Sequence, residues 1–347
     1  MSLNKSFFER ETLITAKVIA DSINETGQRL TTFELEFPRL ILSECNTHGA
    51  IEKNTSSSRA IPVSKMLDHI LEQNLKPIYF GSKKSGMQAG NELESISLEV
   101  AKGLWEDSLE KAVFYANQLD ALGVAKEVTN RITEPYQLIK AVWSATDWEN
   151  WFNLRLEKDA DPNICMLAYK MYQAMQESKP IELKVGEWHL PYVDKYDIPI
   201  TYSDQGGYEY ETGYHTFYYD SEVGHTCEQV LTLEQAIKLS AASCASVSYR
   251  TEGMTLEKAE KIFDMLIKAE VIHASPFEHL ATPIVFKETN EMCNVFEYLD
   301  KVEGVTHVNK QGDLCSGNLR GWVQYRHTLP NNTNYVFDFQ ERMKLFM

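Results

Sequence analysis

The sequence lacks any long apolar segment, since its 347 residues contain no run of eighteen consecutive apolar residues. A membrane-spanning helix needs about that many. The N-terminal stretch MSLNKSFFERETL carries acidic residues and has no hydrophobic central part, so it does not have the pattern of a secretory signal. We therefore expect a cytoplasmic protein that has no membrane partner.

Cysteine is sparse and scattered. No CxxC pair occurs, which argues against a zinc cluster, and we expect no metal site. Widely spaced cysteines fit buried thiols in a reducing compartment. The six cysteines are Cys45, Cys165, Cys227, Cys244, Cys293 and Cys315.

Positive charge is in deficit, with 34 Lys and Arg against 50 Asp and Glu and a formal net charge of −16. This charge repels a polynucleotide backbone over most of the surface, so we expect no polynucleotide partner. A small anion held in a local basic pocket remains compatible with it. The hydrophobic fraction of 43% is ample for a packed core.

Several familiar catalytic motifs are missing. Without a Walker A loop or a GxGxxG turn, neither a P-loop nor a dinucleotide-binding Rossmann unit is indicated. The chain also has no GxSxG elbow and no HExxH motif. The cysteines have no histidine or cation beside them in sequence that would activate a thiolate.

Hydrophobic periodicity predicts a mixed α/β chain. Phe33, Leu35 and Phe37 alternate with other residues, which is typical of a half-buried strand. An apolar stripe over 98–122, closed by Gly123, predicts a long amphipathic helix of the core. The other predicted elements are strands over 12–20 and 282–286, and helices over 63–73, 160–175, 232–242 and 256–269.

Three further stretches have less regular patterns. Residues 180–230 are rich in Tyr, Gly and Asp, with short strand-like pieces and little periodicity, and we interpret them as an irregular excursion from the compact body. The stretch 143–155 places three aromatic residues and Arg155 at helical spacing. Residues 317–327 are interpreted as a C-terminal helix.

A polar stretch from Asn46 to Arg59 stands where the chain must turn. Its three consecutive serines precede Arg59, which gives several donors and one fixed positive charge. Such a loop suits a phosphate or the edge of a pyrimidine. A Ser-rich surface turn is the alternative.

Arginines recur beside polar or aromatic residues elsewhere in the chain. Any one of them alone favours a structural role, whereas several that converge would form an anion site. They are Arg59, Arg131, Arg155, Arg320 and Arg326.

These residues resemble the flavin-dependent thymidylate synthases of the ThyX type, and most closely the long, phage-type members. The family signature matches Thr47 to Ala60, where His48, Asn54, Ser57 and Arg59 are retained. The resemblance is patchy but extends over about residues 12–330. The segments GMQA, WHLPY and GNLRGWVQYR are also similar to segments of the long members.

Three other motifs carry the resemblance. EVTNRITEP resembles a helix with a nucleotide-binding arginine, which corresponds to Arg131. WENWFNLRLEKDADPNI resembles the segment whose arginine contacts the uracil nucleotide, which corresponds to Arg155. SPFEH resembles the stretch whose final histidine, here His279, lies against the flavin. In compact members that stretch precedes the signature, so the motif order here resembles the permuted order of the long members.

The signature is altered at four positions. Thr47 and Gly49 replace its two arginines, Glu52 replaces its first serine and Thr55 replaces its glutamate. Losing two fixed charges would cost several kcal/mol of anion binding, at roughly 1.5–3 kcal/mol for each charged hydrogen bond. The QYRH segment is a candidate replacement, because the signature also has a Gln shortly before Arg-His. Its residues are Gln324, Arg326 and His327.

The resemblance implies a ThyX-like α/β (α+β mixed) fold, in which an antiparallel sheet packs against long helices. One domain over 1–347 is expected. Within it, 12–178 would carry the signature loop and nucleotide-binding helices, and 180–230 would be an insertion. The segment 231–330 would carry the flavin-contacting motif.

The implied reaction is the reductive methylation of dUMP to dTMP. Methylenetetrahydrofolate would supply the carbon, reduced FAD the hydride and NADPH the reducing equivalents, in a homotetramer. Hydride delivery replaces the cysteine addition of classical thymidylate synthases, and the cysteines here lack the Pro-Cys setting of that enzyme. The cofactor does the chemistry while the protein supplies orientation and charge.

The resemblance also assigns roles to single residues. Ser57 and Arg155 would act at the reacting centre. Substrate would be bound by Ser57, Arg59, Arg131 and Arg155, and the flavin by His48, Asn54, His279, Gln324, Arg326 and His327.

Two other functions stay open. A related flavin enzyme would methylate or hydroxymethylate another pyrimidine nucleotide, such as dCMP or a modified dUMP. A non-catalytic homologue would bind nucleotide, or serve as an assembly subunit, without a flavin. Flavin colour separates the last of these from the enzymes.

Overall fold

The computed structural model describes residues 5–86, 88–203, 207–220, 225–247, 254–269, 271–284, 302–333 and 336–346. The chain divides into two compact units. The N-terminal unit comprises Met1–Glu182 and Ser246–Thr251, and the C-terminal unit comprises Leu183–Ala245 and Glu252–Met347. Helices and antiparallel sheets occur in both units, so the predicted mixed α+β class is confirmed.

A five-stranded sheet forms the centre of the N-terminal unit, with strand order β3-β4-β2-β1-β5. The strand β2 pairs antiparallel with both β1 and β4, and β3 pairs antiparallel with β4. The predicted alternation is correct, since Phe33, Leu35 and Phe37 are all buried. The strands are β1 (Thr15–Asn24), β2 (Arg29–Pro38), β3 (Glu52–Thr55), β4 (Leu138–Ala145) and β5 (Ile181–Leu183).

Helices pack against this sheet and around it. The buried side chains of α6 and α7 join those of the sheet in one core, where the Trp143 and Trp151 rings meet edge to face at 5.2 Å. A second core lies between α3 and α4. The helices are α1 (Lys5–Phe8), α2 (Leu42–Asn46), α3 (Val63–Gln73), α4 (Ser95–Ala121), α5 (Lys126–Thr129), α6 (Glu149–Arg155) and α7 (Pro162–Glu177).

The helical interpretation of 143–155 is wrong for its first residues. Trp143 belongs to β4, and α6 begins only at Glu149. The run LIKAVWSA is apolar at nearly every position because β4 lies inside the sheet, between β2 and β3. Periodicity alone does not separate such a strand from a buried helix.

The motif EVTNRITEP is not one regular helix. It forms the single turn α5 and then a 3-10 helix over Asn130–Tyr136. Pro135 lies within that 3-10 helix, and a proline removes a donor that a continuing α-helix needs.

The C-terminal unit contains a three-stranded antiparallel sheet, β6-β7-β8. The prediction that 180–230 is irregular is therefore wrong. The period-2 signal was present in β7, where Tyr208, Tyr210, Tyr214 and Tyr218 fall on alternate positions. The strands are β6 (Asp194–Ser203), β7 (Gly207–Asp220) and β8 (His225–Leu231).

The two helices predicted in this unit are confirmed. Thr232 caps α8, because its Oγ1 accepts a bond from the Gln235 N–H at 3.3 Å while the Thr232 N–H donates to Gln235 Oε1 at 2.9 Å. This reciprocal pair is a capping box. Among the described residues, the helices of this unit are α8 (Leu233–Ala245), α9 (Leu256–Ile267) and the short α10 (Phe339–Met343).

The expected C-terminal helix over 317–327 is wrong. This segment forms two short strands and a 3-10 helix, Tyr325–Thr328. Gly317 and Gly321 have φ of +56° and +77°, which breaks any helix there. The strands are β9 (Ala281–Pro283), β10 (His307–Val308), β11 (Leu314–Ser316), β12 (Leu319–Arg320) and β13 (Trp322–Gln324).

The strand expected over 282–286 is observed as β9 (Ala281–Pro283). Ile284 lies outside the strand, and residues 285 and 286 lie outside the described residues. Cys293 also lies outside them. Among the described cysteines none forms a disulfide. Within the described residues, no helix combines the length and the apolar character needed to cross a membrane.

Candidate functional site

The polar loop after β3 is held in one conformation by backbone contacts. The Ser56 N–H donates to the Lys140 carbonyl at 2.8 Å, and Ser56 Oγ accepts from the Lys140 N–H at 3.2 Å. On the other side, the buried Asn130 donates from Nδ2 to the carbonyls of Ser58 and Ile61, at 2.8 and 3.0 Å. The loop is thus fastened both to β4 and to the segment that carries Arg131.

Three guanidinium groups surround this loop, and we call Ser56–Ala60 with Arg39, Arg59 and Arg131 the arginine loop. Arg39 Nη2 donates to the Ser56 carbonyl at 3.0 Å. Arg131 Nε donates to the Glu127 carbonyl at 3.1 Å. The structure therefore brings together the predicted residues Arg59 and Arg131.

Two carboxylates balance these charges incompletely. Glu134 Oε1 lies 3.8 Å from Arg39 Nη1 and 3.7 Å from Arg131 Nη1. Glu127 Oε2 lies 4.0 Å from Arg59 Nε. These separations exceed those of charged hydrogen bonds, so the guanidinium donors keep capacity for another acceptor.

Arg39 differs from the other two arginines in its burial. Only 12% of its side chain is exposed, against 67% for Arg59 and 62% for Arg131. Burial, with a contribution from nearby Arg131, lowers the pKa of Arg39 below its usual value, and Glu134 opposes that change. Within the described residues, Arg39 Nε is buried and makes no hydrogen bond.

Ser57 is exposed at the tip of the arginine loop. Its Oγ accepts from the Arg59 N–H at 3.3 Å, and its carbonyl accepts from the Ala60 N–H at 3.0 Å. The neighbouring Ser58 is buried and its hydroxyl donates to Glu134 Oε1 at 3.3 Å. Ser57 is therefore the serine positioned to donate to a bound anion.

A second group of cations lies around Trp151, and we call His48, Lys53, Trp143, Trp151 and Arg155 the tryptophan cluster. The His48 ring meets the Trp151 ring edge to face at 5.5 Å. The Arg155 guanidinium carbon lies 5.7 Å from the Trp151 ring centre, and Lys53 Nζ lies 5.6 Å from the Trp143 ring centre. Lys53 Nζ also donates to the His48 carbonyl.

Burial and neighbouring cations lower the pKa values of two members of this cluster. Burial first, then Lys53 and Arg155, lower the pKa of His48, so this ring is neutral near pH 7. Burial also lowers the pKa of Lys53. Within the described residues, His48 Nε2 and Arg155 Nε are buried and make no hydrogen bond. The cluster therefore suits an aromatic or anionic ligand that accepts hydrogen bonds.

The cysteine beside this cluster is not poised as a nucleophile. Burial raises the pKa of Cys45 to about 12, despite Arg155 and Lys53 nearby. The other buried thiol of this unit, Cys165, has its pKa raised to about 11 by burial. Both thiols are protonated at neutral pH.

Asn54 lies on β3, which connects the two groups of cations along the chain. It faces Val142 of β4 in the antiparallel register and is half-buried. The Arg155 guanidinium contacts the segment before β3, since its Nη2 donates to Thr47 Oγ1 at 3.4 Å. Arg155 thus contacts one of the residues that replace the signature arginines.

The C-terminal unit brings the two remaining motifs together, and we call SPFEH (275–279) with QYRH (324–327) the buried motif pair. Gln324 of β13 pairs with Ala281 of β9, and the Tyr325 N–H donates to the Leu280 carbonyl at 2.8 Å. Arg326 forms an ion pair with Glu278. The resemblance had assigned both motifs to the flavin, and the structure brings these two motifs next to each other.

His279 and Gln324 are almost completely removed from solvent, at 0% and 1% exposure. Burial lowers the pKa of His279 to about 3, and it lowers the pKa of the neighbouring His189 to about 3, where Lys195 and His279 add to it. Gln324 packs so closely on Gly317 that a Cβ there would lie 2.5 Å from its Oε1. These side chains are part of the packed interior of the unit.

The remaining arginine and histidine candidates are partly exposed. Arg320 Nη1 lies 3.8 Å from Asp313 Oδ2, and about a third of each side chain is exposed. His327 is half-buried on the 3-10 helix after β13. The two halves of the predicted site thus fall into two units: His48, Asn54, Ser57, Arg59, Arg131 and Arg155 in the first, and His279, Gln324, Arg326 and His327 in the second.

The residue-by-residue prediction gave no role to three contributors to these groups. Arg39 resembles an arginine that precedes the family signature, Lys53 lies within the signature stretch, and Asn130 directly precedes Arg131. The available signals were this likeness of Arg39 and the position of Lys53, a cation four positions after the glycine that replaces an arginine. The roles of Arg39 and Asn130 depend on contacts between distant parts of the chain.

In the part of the chain that the structure describes, no group of three or more His, Cys, Asp or Glu side chains is arranged to hold a metal ion. No family model matches the chain, and no curated protein matches its sequence.

Proposed function

We propose that the protein binds a pyrimidine deoxynucleotide at the arginine loop and acts as a flavin-dependent thymidylate synthase of the ThyX type. The observation that carries this proposal is the convergence of Arg39, Arg59 and Arg131 on the serine-rich loop. Three fixed cations and an exposed serine hydroxyl suit the phosphate of a nucleotide.

The balance of charge supports a phosphate here. Three guanidinium groups face two carboxylates, and each of the three charge contacts is 3.7 Å or longer. A phosphate dianion can accept from the forked donors of Arg59 and Arg131 more closely than these carboxylates do. Ser57 Oγ is exposed beside them and supplies a further donor.

The tryptophan cluster supports a second, larger ligand. Lys53 and Arg155 offer positive charge, and the buried His48 Nε2 and Arg155 Nε offer hydrogen-bonding nitrogens next to the Trp151 ring, which fits the planar and anionic parts of FAD. Reduced FAD would supply a hydride to the pyrimidine ring. Lys53 stands in for part of the charge that the signature loses at Thr47 and Gly49.

Under this proposal the side chains of the N-terminal unit bind and orient. Arg59, Arg131 and Ser57 would hold the phosphate, and Arg155 would contact the base of the nucleotide. A neutral His48 donates or accepts one hydrogen bond without adding charge. Methylenetetrahydrofolate, NADPH and a homotetrameric assembly complete the proposal by resemblance to the family, as does a ThyX-like fold.

Calorimetric titration tests the phosphate site directly. The intact protein is expected to bind dUMP, and to bind deoxyuridine at least tenfold more weakly, because only the former carries the phosphate. Arg59→Ala and Arg131→Ala should each weaken dUMP binding about tenfold or more, at roughly 1.5–3 kcal/mol per charged bond. Arg342→Ala, which removes an exposed arginine of the C-terminal unit, is the matched control. Equal binding of dUMP and deoxyuridine would contradict the assignment.

Colour and product analysis test the chemistry. Purified protein, or protein incubated with FAD, is expected to show the visible absorbance band of flavin. With a reductant and the folate donor, dTMP should form from dUMP. Product from dCMP alone, or a hydroxymethylated product, would instead identify a related pyrimidine-modifying enzyme.

A non-catalytic nucleotide-binding protein is the second candidate, and one observation favours it. Three positions that the resemblance assigns to flavin binding supply less charge than in the family. Thr47 and Gly49 carry no charge, and Arg326 is already paired with Glu278. A protein that binds dUMP yet stays colourless with added FAD would support this candidate and overturn the enzyme.

A further inference from the structure

The long helix α4 carries a second apolar face that none of the described residues of its own unit covers. Its buried side chains Leu109, Val113 and Ala116 pack into the core with α3. On the other side, large apolar side chains are between 54% and 80% exposed. They are Ile96, Val100, Leu104, Phe114, Tyr115 and, at the C-cap, Leu122.

These six residues form one stripe. At 3.6 residues per turn they fall within an arc of about 100°, centred opposite the buried face. Single exposed apolar residues are ordinary, but apolar groups at both ends of one face of a helix about 40 Å long, interrupted by Asp107, Lys111 and Gln118, mark an interaction surface. We call this stripe the outer face of α4.

The charged residues within the outer face indicate which kind of partner fits it. Asp107 and Lys111 lie in the same arc, at its middle, and both are exposed. Apolar residues occupy the two ends of the stripe. A partner must therefore offer an apolar end, a central pair of opposite charges and a second apolar end.

A second copy of α4 has this pattern when it runs antiparallel. With a two-fold axis beside position 109, a residue lies at the same height as the residue of the second copy that is equally many positions from 109 in the opposite direction. Asp107 then faces Lys111 of the second copy, and Leu104 faces Phe114. By the symmetry of such an interface every contact occurs twice.

We infer that the outer face of α4 is the contact surface between two copies of this chain, paired antiparallel about a two-fold axis beside position 109. A strip of about 40 by 10 Å on each copy buries about 800 Å² in total, which is below the roughly 1,200 Å² of standard specific interfaces and in the range of weak, transient contacts. We therefore expect a reversible dimer whose assembly depends on protein concentration. The inference does not depend on the proposed activity.

Charge reversal provides the test. Sedimentation equilibrium of the full chain is expected to show dimers or a larger even assembly. Asp107→Lys or Lys111→Asp each place like charges opposite each other twice, and should weaken association about tenfold or more. The double variant restores opposite charges and should restore association. Asp120→Lys, an equal charge change on the other side of α4, is the control.

A cysteine pair tests the register itself. Leu104 and Phe114 are ten positions apart on one helix, about 15 Å, so cysteines there cannot bridge within one chain. The variant Leu104→Cys with Phe114→Cys should give a disulfide-linked dimer on mild oxidation, and Leu104→Cys alone should not.

The possible failures are distinct. A wild-type chain that stays monomeric at all concentrations overturns the inference, as does a double charge variant that associates no better than the single ones. Circular dichroism confirms that each exposed-site variant is folded. Binding of dUMP, measured on the same samples, reports on the proposed function separately.

Discussion

The arginine loop and the buried motif pair differ in how they hold their polar groups. In the arginine loop, two of three arginines are more than half exposed, and their carboxylate partners lie 3.7 to 4.0 Å away. In the buried motif pair, His279 and Gln324 are sealed from water. Both carry motifs of the same resemblance, but they provide different chemistry.

The difference determines which of the two regions can use its charges to bind a ligand. An exposed guanidinium with a loosely held partner can exchange that partner for a ligand at little cost to stability. A buried neutral histidine contributes to packing and resists protonation. We therefore expect substitutions in the arginine loop to change binding, and substitutions in the buried motif pair to change stability.

The largest expected effect is acid unfolding of the C-terminal unit. Folded His189 and His279 have pKa values of about 3, below the usual value of 6.5, so the unfolded chain binds more protons between these limits. Stability is therefore complete above about pH 6.5 and falls as the pH is lowered. From pH 7 to pH 5 each histidine should cost about 2 kcal/mol of unfolding free energy.

Urea titration followed by fluorescence over this pH range measures the effect. His279→Asn should remove part of the slope, and His307→Asn, at an exposed position, should leave it unchanged. A stability that does not change between pH 7 and pH 5 would show that these histidines are accessible to protons in the folded chain.

The next largest effect is expected at Asn130, which fastens the arginine loop. Asn130→Ala leaves the carbonyls of Ser58 and Ile61 without their donor and should cost about 1–3 kcal/mol of unfolding free energy. It should also weaken dUMP binding about tenfold, because Ser57 and Arg59 lose their fixed positions. Thermal unfolding and calorimetry on one preparation compare the two losses. Unchanged dUMP affinity would separate the loop from the nucleotide site.

A smaller effect in two opposite directions is expected at Glu134. Glu134→Gln removes the carboxylate that lies between Arg39 and Arg131. Binding of dUMP should tighten about threefold, since a competing anion is gone, while stability falls by about 1 kcal/mol because Arg39 loses its counter-charge. Glu149→Gln, an exposed carboxylate of α6, is the control. Weaker binding would mean that Glu134 organises the site.

The smallest expected effect is on His48. Lys53 lowers the pKa of His48, after burial, so Lys53→Met should raise that pKa toward the usual value. Titration of the ring by nuclear magnetic resonance measures the change. Lys65→Met, an exposed lysine of α3, is the control. An unchanged His48 pKa would show that the Lys53 charge does not reach the ring in solution.

Particular elements show how far the sequence could lead. The helix over 63–73 and the strand around Phe33, Leu35 and Phe37 were predictable because one face of each is buried and the other is not. The strand β4 was not, because it is buried on both faces and its pattern has no period. In β7 the alternating tyrosines did carry the signal, and Gly and Asp residues around them obscured it.

For the candidate site, residue types and neighbours along the chain pointed to Ser57, Arg59, Arg131 and Arg155. They gave no role to Arg39, because its contact with Ser56 joins residues 17 positions apart in sequence. They also could not distinguish the exposed Arg59 from the sealed His279. Burial depends on packing, which no short motif encodes.

The sequence by itself determined the mixed α+β class, the apolar faces of the main helices and strands, and the cations of the serine-rich loop. These follow from local periodicity and from the chemistry of single side chains. Only the tertiary structure decided which cations converge, which histidines stay neutral and which face of α4 remains outside the core. Those properties arise from contacts between residues far apart in the chain, where distance and burial set the energies.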